Sequence, residues 1–212
     1  IFIIFLSKMQ FINKILYYMK KILGLDFFSA FFYEDYYDNK KRNSALTTPD
    51  SEFIIIENKD MLEKIINKNY TFDIYKINQI KNGVNEQAIP FCIFVNKKLA
   101  HITWLALNDR GKRYVDGGFN WPLKINWSRM GFWGLAYTNP EFRKNSFYRY
   151  THEQIQKFLL NKNIKINSFG MRKNNLASIA AMSKYEPKII AKGYAFAWFK
   201  FKFRFTIPLN IK

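Results

Sequence analysis

Two strand–loop–helix units follow one another in this chain, and they limit the fold more than any other feature. Residues 131–138 form an apolar, strand-like run that turns at Asn139-Pro140 and leads into a helical pattern over 146–160. A second short strand over 164–171 leads through a loop into a helix over 176–185, which Pro187 stops. Both helices therefore begin at the same edge of one sheet.

The rest of the chain predicts further strands, which pair in an antiparallel way. The run at 52–58 indicates a buried strand, and 59–69 indicates a helix with its apolar residues on one side. The runs 88–95 and 99–107 flank a tight turn and predict a hairpin. A turn is expected at 108–111, and alternation over 194–205 indicates one long strand. The fold class is α/β (α+β), with a mixed, mostly antiparallel sheet and helices on both faces.

The first fifty residues differ in pattern from the remainder of the chain. Apolar residues recur at helical spacing over 9–23, with lysines between them, and 26–37 is predicted as a second, aromatic-rich helix. The polar stretch 38–50 is the best linker candidate. We therefore expect an extension and linker over 1–50 and a domain over 51–212. The 9–23 helix could contact a membrane surface peripherally or pack on the domain.

Charge and cysteine content narrow the function classes. The formal net charge is +18, which favours anionic partners, but the basic residues are scattered without a run of like charges. Nucleic acid is therefore not expected as a partner. The single cysteine, Cys92, lies within a strand-like apolar run and is predicted to be a core residue. Because no disulfide can form within the chain, a cytoplasmic location is expected, with membrane association as the alternative.

The loop between Thr138 and the helix at 146 has the chemistry of an anion site. The first amides of a helix lack partners within the helix, and together with the helix dipole they attract negative charge. Arg143 could pair with a phosphate oxygen, and Ser146 could cap the helix or donate its hydroxyl to the same anion. In the second loop, Asn175 or Ser178 could cap the helix, or Asn175 could reach a ligand.

The stretches YTNPEFRKNSFY and NNLASIAAMSKY resemble the GNAT superfamily of acyl-CoA N-acyltransferases. The resemblance implies a GNAT-like sheet in which 131–138 and 164–171 are parallel and splay apart as a V. It also implies acetyl-CoA or another acyl-CoA as cosubstrate, no metal, and a small-molecule amine or amino sugar as acceptor. The coenzyme-binding residues it implies are Leu135, Ala136, Tyr137, Thr138, Arg143, Lys144, Asn145, Ser146, Phe147, Tyr148, Asn175 and Ser178.

The sequence departs from the family pattern at positions that matter for chemistry. Ser146 and Tyr148 stand where the family's loop has glycines, and Ser146 fits without strain only if its φ is negative. Met182 stands where many members have a tyrosine that acts as general acid, and Met182 has no proton to donate. Glu186-Pro187 replaces the Gly-Phe that usually ends the helix.

The resemblance implies that an amine attacks the thioester directly, while a backbone N–H near Leu135–Tyr137 polarises its carbonyl. Candidates for the base are His101, on the preceding hairpin strand, and Asp116, in a turn-like DGG sequence. His152, within the helix, is predicted to be solvated. Four tryptophans could line an acceptor cleft, although most of them are expected to pack in the core or in loops. They are Trp104, Trp121, Trp127 and Trp133.

Three functions are consistent with these patterns. The first is an acyl-CoA-dependent N-acyltransferase. The second is a GNAT-like binding module that has lost catalytic activity. Met182 and the missing glycines support this alternative. The third is a basic peripheral protein on membrane or nucleic acid.

Overall fold

The computed structural model describes residues 25–36, 44–72, 74–117, 121–198 and 201–209, which form one eight-stranded sheet and five α-helices. The strands are β1 (Leu25–Tyr36), β2 (Ser51–Ile55), β3 (Ala88–Val95), β4 (Lys98–Ala106), β5 (Met130–Thr138), β6 (Ile166–Arg172), β7 (Lys188–Trp198) and β8 (Phe201–Pro208). The helices are α1 (Lys59–Asn67), α2 (Ile74–Asn85), α3 (Asp109–Val115), α4 (Phe147–Asn161) and α5 (Leu176–Ser183).

The strand order across the sheet is β2-β3-β4-β5-β6-β1-β7-β8. Every neighbouring pair is antiparallel except β5 and β6, which run parallel. The prediction of a mixed, mostly antiparallel sheet with one parallel pair is therefore confirmed. The strand at 52–58, the hairpin at 88–107 and both strand–loop–helix units are also present, with boundaries that differ by a few residues.

Helices cover both faces of the sheet, as the sequence predicts. Along each central strand, neighbouring residues enter opposite cores, because successive side chains in a strand point to opposite faces. Ile102 and Trp104 pack with α1, α2 and α3, whereas Leu105 and Trp133 pack with α4 and α5. Cys92 is fully buried in the first core, where burial raises the pKa of its thiol, as expected for a packing residue.

The prediction of a helix over 26–37 is wrong, because Leu25–Tyr36 form strand β1. This strand lies between β6 and β7 and is antiparallel to both. An aromatic-rich run fits either element, and the two neighbouring strands decide the outcome, with Phe32 in one core and Tyr33 in the other. A domain boundary at 50 and 51 would separate β1 from its sheet. The predicted helix at 9–23 and residues 38–43 of the predicted linker lie outside the described residues.

Three further segments differ from expectation. The predicted long strand over 194–205 is part of two antiparallel strands, β7 and β8, since two successive alternating segments look like one in sequence. Residues 108–111, which were predicted as a turn, form the start of α3. The Asn108 side chain caps this helix by accepting from the Gly111 N–H at 2.8 Å. Helix α2 was not predicted, because its sequence mixes polar and apolar residues and has a glycine in its last turn. Within the described residues, none of the helices is long and apolar enough to span a membrane.

The prediction that His152 is solvated is also wrong. Its ring is fully buried, and its Nε2 lies 2.9 Å from Oδ2 of Asp35 on β1. The amide of Gln156 donates to the same carboxylate oxygen, and Asn167 on β6 approaches the other ring nitrogen at 3.5 Å. This polar cluster joins β1, α4 and β6. The carboxylate partner could not be foreseen while β1 was taken for a helix in an extension.

The central place of β1 can be tested by truncating Phe32, which is buried beneath Gly170 and Gly193 on the two flanking strands. We expect Phe32→Ala to lower the free energy of unfolding by about 3–5 kcal/mol, as for other buried aromatic residues. Phe203→Ala, at an exposed position of β8, should change it by no more than about 0.5 kcal/mol. Urea denaturation of both variants measures this. If Phe32→Ala and Phe203→Ala unfold at the same urea concentration, β1 does not have a core role.

Candidate functional site

Strands β5 and β6 separate partway along their length. Their parallel pairing covers Met130–Trp133 on β5 and Ile166–Phe169 on β6 and ends there. On the other side of β5, the register with β4 shifts between Ile102 and Trp104. Leu135 and Ala136 therefore have no register partner in either described neighbour, so their peptide groups lie outside both ladders.

A bulge at Leu135 produces this arrangement. Leu135 has φ +49°, which is rare for a residue with a branched side chain. The extra residue is accommodated opposite Thr103, whose hydroxyl donates to the Gly134 carbonyl at 3.1 Å. Gly134 itself lies close to α3, since a β-carbon there would be 3.2 Å from the Val115 carbonyl oxygen. The bulge thus redirects β5 away from β6 and leaves a gap between the strands.

The loop after β5 forms an elbow that ends at α4. A 3₁₀ turn over Pro140–Phe142 is followed by Lys144 and Ser146 with φ of +72° and +58°. Ser146 therefore does not meet the condition of a negative φ under which it replaces glycine without strain. Its side chain does not cap the helix, and its hydroxyl oxygen instead accepts from Arg149 at 2.7 Å. Within the described part of the chain, the backbone N–H groups of residues 144–148 make no hydrogen bond. These N–H groups are the uncapped donors of a helix start.

The elbow, the end of β5 and the start of α5 enclose a cleft of about 610 Å³. Ten of the twelve residues that the resemblance assigns to the coenzyme line this cleft: Ala136, Tyr137, Thr138, Arg143, Lys144, Asn145, Ser146, Phe147, Tyr148 and Ser178. The sequence did not single out Phe142, Arg149, Ala177 and Ala181, which also line it. The position of Arg149, one helical turn after Ser146, is the signal that could have identified it.

The cleft is electropositive. Arg143 and Lys144 are exposed, and in the described part of the chain neither forms a salt bridge. The carboxylate of Glu141, which lies in the same elbow, is paired with Lys98 at 2.8 Å and so does not neutralise these cations. Cationic side chains and N–H groups at a helix start are the groups that commonly bind anions in proteins.

The start of α5 completes the cleft. Asn175 caps this helix by accepting from the Ser178 N–H at 3.2 Å, so its side chain serves the helix and does not line the cleft. Burial raises the pKa of Tyr148 to about 12, and a hydrogen bond with Ser178 opposes this with a smaller effect. Tyr148 thus connects the two helix starts. Met182 is fully buried in the core beneath them.

A second, smaller cavity of about 190 Å³ opens on the gap between β5 and β6. Its lining includes Leu135, which the sequence assigned to the coenzyme, and Asp116, which it proposed as a base. The Asp116 side chain is only 1% exposed, and one of its oxygens accepts from the Trp121 N–H at 3.0 Å and lies 3.5 Å from the Lys112 ammonium. The other oxygen, Oδ1, is also buried and has no hydrogen-bond partner among the described residues.

The other proposed base, His101, lines neither cavity. It is fully buried, its Nδ1 lies 2.8 Å from the Thr138 hydroxyl, and burial lowers its pKa to about 3. The ring is therefore neutral at physiological pH and serves packing. Of the four tryptophans considered, Trp121 and Trp133 line the smaller cavity; the other two do not. The described residues contain no group of three or more metal-ligating side chains.

Comparison with known proteins gives matches among solved structures. No known family profile and no curated protein matches the chain. A tandem GNAT protein from the clavulanic acid biosynthesis pathway matches over 84% of this chain and 57% of its own length, with TM-score 0.55 and 8% identity. A GNAT-family acetyltransferase from Colwellia psychrerythraea matches over 85% of this chain and 57% of its own length, with TM-score 0.49 and 12% identity. This chain thus spans little more than half of either protein.

The elbow conformation can be tested through Ser146. Ser146→Gly should raise the free energy of unfolding or leave it within about 1 kcal/mol, because glycine adopts a positive φ without strain. Ser146→Val should lower it by more than about 1 kcal/mol, since β-branched residues strongly disfavour this backbone conformation. Chemical denaturation compares the two variants. A stabilising valine together with a destabilising glycine would show that the backbone at 146 is not left-handed.

Proposed function

The chain has the fold of the GNAT acetyltransferases, and on that premise we propose that it is an acyl-CoA-dependent N-acyltransferase. The proposed reaction transfers an acyl group, acetyl in the simplest case, to an amine of a small molecule or amino sugar. The observation that carries this proposal is the elbow cleft, where unpaired backbone N–H groups, Arg143 and Lys144 face the end of a bulged strand.

The elbow would bind the diphosphate of the coenzyme. Among the described residues, the N–H groups at the start of α4 have no hydrogen-bond partner, and a helix N-terminus favours anions by about 0.3–1 kcal/mol per charge when exposed. Arg143 and Lys144 can add charge-assisted hydrogen bonds, which are stronger than neutral ones. The acyl–pantetheine arm would then extend along Thr138, Tyr137 and Ala136 toward the gap between β5 and β6.

The thioester would lie at the bulge. The peptide groups of Leu135 and Ala136 are outside both ladders, so an N–H there is available to the carbonyl oxygen of the thioester. A fixed donor of this kind stabilises the negative charge that develops on that oxygen as the amine attacks. Nothing else in the described sheet leaves consecutive residues of a central strand without partners on both sides.

The proposed reaction is a direct displacement within a ternary complex. The neutral amine nitrogen forms the new C–N bond to the carbonyl carbon, the C–S bond breaks, and the coenzyme leaves as its thiolate. The amine gives up one proton, and the thiolate takes one from water because Met182 cannot donate. Holding both reactants at one gap supplies the proximity that such a step needs.

A second function remains a candidate because of specific packing. Met182 is fully buried and His101 is neutral and enclosed, so two positions considered for acid–base chemistry do not supply it. A protein that binds acyl-CoA without transferring the acyl group would have the same elbow cleft. Release of free thiol from acetyl-CoA in the presence of amines separates the two functions.

The elbow's role is tested by reversing one charge. We expect Arg143→Glu to raise the Kd for acetyl-CoA by on the order of tenfold to a hundredfold, since it replaces a diphosphate-binding cation with an anion. Lys64→Glu makes the same charge change at an exposed position of α1 and should leave the Kd unchanged. Calorimetric titration and ligand-dependent melting temperatures measure the effect.

Two outcomes would contradict the assignment. If both variants weaken binding equally, the coenzyme responds only to net charge and not to the elbow. If wild-type protein shows no rise in melting temperature at millimolar acetyl-CoA, the elbow does not bind the coenzyme. Retention of the wild-type unfolding midpoint by both variants is the control for folding.

A further inference from the structure

We infer that the outer part of the sheet, at β7 and β8, binds the surface of an anionic phospholipid bilayer. This inference goes beyond the proposed function and does not depend on it. The surface concerned, the β8 face, consists of four large side chains that are between 38% and 62% exposed. They are Tyr194, Phe203, Phe205 and Ile207. Because β8 is the last strand of the described sheet, the β8 face lies at its edge.

The β8 face is the open side of these two strands. Its three members on β8 alternate along the strand, and successive side chains of a strand point to opposite sides. Tyr194 on β7 is the register partner of Phe205, and the two rings stack with their centroids 5.3 Å apart. The other side of β8 contacts a loop, since the Thr206 hydroxyl donates to the Pro122 carbonyl at 3.1 Å. None of the four side chains of the β8 face belongs to a described hydrophobic core.

The composition of the β8 face fits lipid. A cluster of exposed apolar side chains marks a site of interaction, whereas single exposed residues are normal on a protein surface. Aromatic rings favour the boundary between lipid headgroups and acyl chains. Single-stranded nucleic acid also binds aromatic surfaces, but it does so by stacking its bases on rings. Ile207 offers no ring for a base, while an acyl chain packs on Ile207 and on Phe205 alike.

The charge around the β8 face complements an anionic headgroup. Residues 188–212 contain six basic residues and no acidic residue. Lys192, the register partner of Ile207, lines a cavity of about 90 Å³ together with Lys173 and Tyr194. Among the described residues, neither lysine forms a salt bridge. Ammonium groups beside an apolar surface are the combination that binds anionic lipid at the surface of a bilayer.

A second basic and apolar segment joins the fold beside these strands. Residues 1–25 contain four lysines, no acidic residue and the apolar pattern over 9–23. Leu25, the first residue of β1, is the register partner of Trp198 at the end of β7, and Trp198 also pairs with Phe201 at the start of β8. The chain therefore enters β1 at the end of the sheet where β7 ends and β8 begins.

A second copy of this chain fits the β8 face less well than a bilayer does. Each copy has a formal net charge of +18, so two copies repel each other, most strongly where basic segments meet. A bilayer that contains phosphatidylserine has the opposite charge and attracts the same segments.

Cosedimentation of the full chain with vesicles tests the inference. We expect vesicles of phosphatidylcholine and phosphatidylserine to bind the protein at least about tenfold more tightly than vesicles of phosphatidylcholine alone. Phe203→Asn combined with Phe205→Asn should weaken binding to the mixed vesicles at least about tenfold, because two apolar anchors are lost. Tyr36→Asn removes an exposed aromatic residue at the end of β1 remote from Leu25, and it should leave binding unchanged.

The contribution of charge is tested by a matched pair of variants. Lys192→Glu should weaken binding to the mixed vesicles at least about fivefold, since it replaces a cation beside the β8 face with an anion. Lys64→Glu makes the same change of net charge at an exposed position of α1 and should weaken binding by less than about twofold. Equal weakening by the two variants would show that the vesicles respond only to net charge, which contradicts the inference.

A fluorescent label reports contact with lipid without the two asparagine substitutions. Cys92 is the only cysteine and is fully buried, so a maleimide dye reacts with the introduced thiol of Phe205→Cys. We expect an environment-sensitive dye at position 205 to shift its emission to shorter wavelength on mixed vesicles, because the dye enters an apolar medium. The same dye on Lys64→Cys should show no shift.

Several results would overturn the inference. One is wild-type binding to mixed vesicles by the variant that lacks both phenylalanines, or no emission shift at position 205. Another is a thiol at position 205 that does not react in buffer, since the β8 face is then covered by this chain's own segment or, if dilution restores the reaction, by a second copy. Tighter binding of a single-stranded oligonucleotide than of mixed vesicles, lost in the same variant, would assign the face to nucleic acid instead.

Discussion

The parallel pairing of β5 with β6 ends at Trp133 and Phe169, and both cavities depend on that ending. If the ladder continued, the peptide groups at Leu135 and Ala136 would bond to β6 and the gap would close. The bulge prevents this, because a residue with φ +49° cannot stay in register with both neighbours. An irregularity of one residue thus removes two residues from the register of both neighbours and separates the ends of the two strands.

The elbow depends on a different constraint, the conformation of Lys144 and Ser146. Positive φ at both residues directs the chain into α4 so that the N–H groups of 144–148 make no hydrogen bond to any described residue. Such strain in non-glycine residues costs of order 1 kcal/mol or more each and persists where the surroundings enforce it. The pairing of Glu141 with Lys98 removes the only carboxylate of the described elbow from the balance of charge. The resulting surface carries the charge and the hydrogen-bond donors on which the proposed diphosphate site depends.

The sequence predicted the parts of the fold that local pattern determines. Strands β5 and β6 and helices α4 and α5 follow from apolar periodicity and turn residues, and the anion site follows from their order. Strand β1 could not be predicted in the same way, because its aromatic-rich sequence fits a helix or a strand. Only its pairing with β6 and β7 decides between the two. The burial of His152 depends on that strand, since its carboxylate partner is Asp35.

Within the site, residue identity predicted location better than it predicted role. Ten residues assigned from the two motifs line one cleft, yet Asn175 caps its own helix and Ser146 has a backbone conformation that favours glycine. His101 and Asp116 were equal candidates from sequence. The structure encloses both side chains, since the His101 ring is fully buried and the Asp116 side chain is only 1% exposed.

The most direct test of this account is a titration of ¹⁵N-labelled protein with coenzyme A, followed by the amide NMR signals. The account predicts the largest shifts at the amides of Ser146, Phe147 and Tyr148 and at those of Leu135 and Ala136. The first three make no hydrogen bond within the described residues, and the other two have no register partner in either described neighbouring strand. Largest shifts elsewhere, with these five amides unchanged at saturation, would contradict it.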